Sequence, residues 1–145
     1  MDFVALTMSA ILLVVAFMHA AWGFGVVWPA NSQAELSATV VGTPEAQQMP
    51  ANAVTMGVAA LIALAGLWPL FWRALLWYPQ SVPQTLIWFG MWALSVIFLG
   101  RGVLGYLPTP SQTTQPFYRL NRLFYSPICL VLGLGFLVLV LEPIN

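Results

Sequence analysis

Four apolar stretches, each long enough to cross the hydrocarbon core of a bilayer, leave this chain few ways to fold. A core about 30 Å thick takes roughly 20 mostly apolar residues of helix, and positions 3–28, 53–72, 84–107 and 122–141 each supply that length. Lipid offers backbone amides no hydrogen-bond partner, so such stretches are expected to be helices. The chain has 145 residues, of which 61% are hydrophobic and only 6% charged, whereas soluble domains carry about a quarter charged residues. The expected architecture is therefore all-α: an integral membrane four-helix bundle forming a single membrane domain over 1–145. Only Asp2 precedes the first apolar run and no basic n-region is present, so that run is expected to be a retained span and not a signal peptide. A formal net charge of +0 gives no basic field for nucleic acid, and that partner class is set aside.

Four spans put both termini on one face, side A, and the first and third loops on the other, side B. The first loop carries Glu35 and Glu45 but no Lys or Arg, which suits an outward side B in a bacterial cytoplasmic membrane with the termini inside. Counting Arg119 and Arg122 against Arg73 would reverse that orientation if all three arginines were topology signals. Ser32-Gln33-Ala34-Glu35 fits a capping box opening a short surface helix into Leu36–Val41. Trp68, Trp72, Trp77 and Tyr78 are expected as an aromatic belt on side A, and Trp22, Trp28, Tyr106, Phe117 and Tyr118 as the belt on side B. Ala59 with Ala63, and Gly133 with Gly135, allow close helix approach. Pro69 and Pro127 each delete a backbone hydrogen bond and should bend their spans.

The stretch from Gln115 to Leu132 gathers Tyr118, Arg119, Asn121, Arg122 and Tyr125 at one membrane boundary. Pro116 suits a first helical position, with Thr114 or Gln115 as cap. Tyr118, Arg122, Tyr125 and Cys129 then recur at i, i+4, i+7 and i+11, one helix face. In spans one to three the ionisable groups are His19 and Arg101, and such groups inside a bilayer mark functional sites by default. His19 lies 16 residues past Phe3 and Arg101 17 past Gln84, so both sit roughly 24 to 26 Å along their helices, just below side B.

The expected site is a small side-B pocket lined by His19, Trp22, Arg101, Tyr118, Arg119, Asn121, Arg122 and Tyr125. Its arginines suit an anionic lipid headgroup or a quinone carbonyl, and a catalytic role, if there is one, falls to His19. The competing reading has the arginines snorkelling to the interface and pairing with Glu35 or Glu45, while His19 bonds a carbonyl. No metal site is expected, since one His without Cys or carboxylate neighbours gives too few ligands. No cofactor is called for, although a bound lipid or quinone would fit; haem on His19 would need Met18, Met8 or another subunit as second axial ligand and ranks last. The midplanes are apolar, which disfavours a channel or carrier.

The tail QPFYRLNRLFYSPICLVLGLGFLVL resembles the signature of a family of small four-span bacterial membrane proteins known only as a domain of unknown function. Phe117, Arg119, Tyr125, Ser126, Pro127, Cys129 and Leu130 carry that likeness. His19, Trp22, Gly23 and Gly25 are similar to the family's His and Trp-Gly pattern ending span one, Trp28-Pro29 to a following Pro, and Phe98 to Arg101 with Gly105 to its Arg-containing third span. Asn121 stands where the family is expected to have an acidic residue. The resemblance implies a four-span membrane fold and supplies no activity. The function expected from all this is a non-enzymatic accessory subunit or lipid- or quinone-binding module, with membrane lipids and other membrane subunits as partners. A small enzyme acting on a lipid or quinone through His19 is the alternative, and a haem-binding redox subunit the lower one.

Overall fold

The computed structural model describes residues 1–42, 48–107 and 115–142. Its helices are α1 (Asp2–Gly23), α2 (Gln33–Val40), α3 (Asn52–Trp72), α4 (Gln84–Leu104) and α5 (Phe117–Leu141). All but α2 are long and apolar enough to cross a membrane. The antiparallel pairs α1–α3 and α4–α5 make the most extensive contacts, and the two pairs join through lighter α3–α4 and α1–α5 packing.

Helix ends follow local chemistry. The first span stops at Gly23, earlier than the hydrophobic run suggested, because Gly25 takes a left-handed φ of 89°. Val26 N–H then reaches back to the Ala21 carbonyl at 3.0 Å and Gly25 N–H to Trp22 at 3.0 Å, the paired bonds of a Schellman stop. Ser32 caps α2 through its hydroxyl, which accepts from Glu35 N–H at 3.2 Å. The Glu35 carboxylate reaches back one residue beyond the box, accepting from Asn31 N–H at 2.9 Å. Although α2 lies outside the four spans, it is no mere surface helix: Leu36 and Ser37 are fully buried.

The fourth span is not a uniform helix. Asn121–Tyr125 form a π-helical turn, and Ser126 N–H bonds the Asn121 carbonyl five residues back. Pro127 has no N–H to continue that register, so the Arg122 carbonyl loses its partner. The Tyr106 hydroxyl donates to it at 3.2 Å instead. The wider turn also breaks the expected four-residue stripe. Tyr118 and Arg122 stay together, while Tyr125 swings toward α2, where its hydroxyl donates to the Thr39 carbonyl at 3.3 Å. Thr114, one of the two caps expected for this helix, lies outside the described residues; the helix starts at Phe117 with Pro116 at its cap.

The core sits toward side A, where Ala5, Met8 and Leu12 of α1, Trp72 of α3, Met91 of α4, and Leu132, Phe136 and Leu139 of α5 meet. Phe98 stacks on Phe136 with centroids 5.7 Å apart. Two expected belt tryptophans are core pieces here: Trp68 donates to the Ile87 carbonyl at 3.0 Å and Trp72 to Leu139 at 2.9 Å. Leu139 is among the last four residues of α5, whose carbonyls have no helical partner, so the Trp72 indole completes that helix end. Phe117 also leaves the belt, being buried against Gly42 and Tyr125. Trp28 and Trp77 remain exposed, as anchors should.

Close approach of α4 to α5 depends on Gly133. A Cβ there would meet the Leu99 backbone nitrogen at 2.7 Å, whereas one on Gly57 would meet nothing within 4 Å. Gly133→Ala should therefore destabilise the protein in detergent by about 1–3 kcal/mol, the range for overpacking, and Gly57→Ala should be neutral or mildly stabilising. Equal unfolding midpoints for the two variants would show that the helices do not rely on this contact.

Candidate functional site

Side B is where the remaining polar side chains collect, and the two helix pairs hold them in separate groups. On α4, Arg101 occupies the last turn, where a cation is favoured by the helix dipole. Its Nη2 donates to Asn121 Oδ1 on α5 at 2.8 Å. Asn121 Nδ2 donates in turn to the Gly105 carbonyl at 3.0 Å, so one buried amide caps the end of α4 and orients its guanidinium. The Ser126 hydroxyl approaches the same Oδ1 at 3.4 Å, a long contact. Gly105 must be glycine for this packing, since a Cβ would collide with Ser126 Oγ and crowd Arg101 Nη1 and Asn121 Nδ2. Arg101 Nη1 is buried and has no acceptor among the described residues.

Outside this group, Arg122 is exposed and donates through Nη1 to the Tyr118 hydroxyl at 2.7 Å. Its guanidinium lies over the Tyr118 and Tyr106 rings at 5.4 and 5.9 Å, within cation–π range. Arg119 is exposed and has no partner among the described residues. Glu35, expected as an ion-pair candidate, bonds Asn31 and meets no arginine among the described residues; Glu45, the other candidate, lies outside them. On side A the picture is reversed. Arg73 Nε donates to Asp2 at 2.9 Å and Nη1 lies 4.0 Å from Glu142.

His19 belongs to the other helix pair. Its Nδ1 donates to the Val15 carbonyl at 2.8 Å, and its ring tilts against Trp22 with centroids 4.9 Å apart. The Trp22 indole donates to the Trp28 carbonyl at 2.8 Å, closing the turn after α1. These two side chains border a cleft of about 150 Å³ between α1, the end of α2 and the start of α3. Among the described residues no hydrogen bond, ion pair or ring contact joins His19 to Arg101, Arg122 or the tyrosines of α5. The two residues expected at one depth thus sit on helices that face different neighbours.

Gly105, flanking Arg101, and Ser126, within the span-four motif, are visible in the sequence but are not among the expected pocket residues, nor are the cleft residues Thr55, Val54 and Val58. Gly105 lies one turn past Arg101 and Ser126 five residues past Asn121; only the second spacing, matching a π turn ahead of a proline, could have signalled the group. A broader open hollow of about 570 Å³ lies on side A against Trp77, Tyr78 and Gln84. No acidic or basic side chain lines it, so side B remains the candidate.

Four helices long and apolar enough to cross a bilayer define a multi-pass membrane protein. The family model described as "Protein of unknown function (DUF3995)" matches residues 12–136, and the chain belongs to that family. No curated protein and no solved structure matches it.

Replacing Asn121 by Leu removes the acceptor of Arg101 and the donor of the Gly105 carbonyl together. The expected cost is about 2 kcal/mol in denaturant titrations of the micelle-embedded protein, against less than about 1 kcal/mol for Ser126→Ala. An Asn121→Leu protein as stable as the parent would show that the amide does not organise this end of the bundle.

Proposed function

We propose that the protein is a non-enzymatic lipid-binding module of the cytoplasmic membrane, an accessory component whose side-B face holds an anionic headgroup. The observation that carries this reading is the uneven pairing of charge. On side A the single arginine has two carboxylates nearby. On side B, Arg101, Arg119 and Arg122 meet no carboxylate among the described residues. Basic side chains near an anionic membrane surface are attracted to it by about 1 kcal/mol each, and a lipid phosphate in the adjoining leaflet is a counter-charge within their reach. Arg119 and Arg122 are accessible to it, with Tyr118 and Tyr106 fixing the direction of Arg122. Arg101, half-buried at the end of α4 against Asn121, adds positive potential. In this reading the termini face the cytoplasm and side B faces outward, in keeping with a first loop that has no basic residue. Acid–base turnover is less well supported, because no second titratable side chain shares the described lining of the His19 cleft.

Native mass spectrometry of the protein in mild detergent, with phosphatidylglycerol or phosphatidylcholine added, tests the reading. Each arginine near an anionic lipid is worth about 1 kcal/mol. The Arg119→Gln/Arg122→Gln double variant should therefore lose phosphatidylglycerol affinity by roughly thirtyfold, and added salt should weaken the parent similarly. Equal retention of the two lipids, or no response to the double substitution, would end the headgroup reading. A stoichiometric protein held there instead would make the face a subunit interface.

A further inference from the structure

We infer that the cleft beside His19 is a second site, distinct from the anionic face, and that it takes a ring bearing a hydroxyl group, a phenol or the reduced headgroup of a quinone. Three features of the cleft select that chemistry. The first is a polar lining that accepts hydrogen bonds and has no free donor. The Val15 carbonyl can only accept, so the 2.8 Å contact puts the proton on Nδ1, and a neutral imidazole then offers Nε2 as an acceptor. Nε2 has no hydrogen bond among the described residues. The Thr55 hydroxyl, 3.4 Å from the Pro50 and Ala51 carbonyls, spends its proton on them and can offer a ligand only acceptor lone pairs. A lining that accepts and does not donate favours a donor: an O–H fits, whereas a quinone carbonyl or a phosphate oxygen would face a lone pair.

The second feature is size and lining. The cleft holds about 150 Å³, the volume in which a benzene-sized molecule is accommodated in other proteins. Val40, Val41, Val54 and Val58 supply aliphatic walls, and the Trp22 ring, 4.9 Å from His19 and inclined at 52°, offers an aromatic side for edge or offset stacking. The third is access. Val54 is 57% exposed and Val58 39% exposed on a helix that crosses the bilayer, so the cleft opens toward lipid and an alkyl or isoprenoid tail can stay in the membrane while the ring enters.

The chain contains one histidine, so selective ¹⁵N-histidine labelling reports this site alone. Titration of the protein in nanodiscs with 4-octylphenol should move the Nε2 resonance while leaving Nδ1 nearly in place, and the methyl ether of the same compound, which lacks the proton, should not. His19→Leu should weaken 4-octylphenol binding at least tenfold by calorimetry, with the anionic-lipid adducts of the parent unchanged. Decylubiquinol kept reduced, set against the isoprenoid alcohol geraniol, then distinguishes a quinol headgroup from a simpler membrane alcohol; a shift with the quinol supports the ring, and a shift with geraniol alone overturns it. An equal response to the phenol and its ether, or no response to either in the parent protein, also overturns the proposal, whatever becomes of the variant.

Discussion

In a bilayer no water stands ready to satisfy a stray carbonyl or indole, and the polar architecture of this bundle follows from that constraint. The Leu139 carbonyl, near the open end of α5, receives the Trp72 indole. The Gly105 carbonyl, just past the end of α4, receives the Asn121 amide. The Arg122 carbonyl, stranded because Pro127 has no N–H, receives the Tyr106 hydroxyl. Each repair comes from outside the helix it completes, from α3, from α5 and from the turn after α4, so satisfying one element's backbone also fixes its neighbour's position. Ser95 adds a mid-membrane tie of the same kind to the Gly133 carbonyl at 3.0 Å. Ser9 Oγ and Trp92 Nε1 have no such partner among the described residues, and nothing in the structure explains why they go without.

Long hydrophobic runs made the four spans legible without coordinates, since length and apolarity alone decide a membrane helix. Details at their ends depended on contacts that no run reveals. Span one looked longer because Phe24, Val26 and Trp28 continue the apolar pattern, yet the left-handed Gly25 turns the chain directly after Phe24. The aromatic belt was read from residue type and approximate depth. Type does not distinguish Trp77, which is exposed, from Trp72, which is buried with its indole bonded. At the site, helical spacing correctly put Tyr118 and Arg122 together but carried Tyr125 along with them. A single π turn changes the angle per residue, and Tyr125 ends up on α2.

The depth of His19 and Arg101 illustrates a similar limit. Rise per residue gives position along the membrane normal and says nothing about which way a helix faces. Here α1 packs chiefly on α3 and α4 on α5, so residues at one level look into different interfaces. Asn121 gains its meaning the same way. In the sequence it was an amide in place of an expected acid; in the structure it accepts from the charged Arg101 while capping α4. A carboxylate could do the first and not the second, because it has no proton to donate to the Gly105 carbonyl.

The consequence is an arginine that is held in place but not neutralised. Arg101 has a dipolar acceptor on Nη2, a buried Nη1 without one, and the favourable end of the α4 dipole, which is worth a fraction of a full counter-charge. Arg73 shows what this chain does when it neutralises a cation, joining Asp2 from one end and Glu142 from the other. That arrangement ties the first and last spans to the middle of the chain and leaves side A closed on itself. Side B leaves its positive charge available, beside aromatic rings that suit the headgroup region, while the His19 cleft nearby offers an acceptor and no charge. One end of the bundle thus pairs its charge, and the other leaves three arginines without a carboxylate and an imidazole nitrogen without a donor among the described residues.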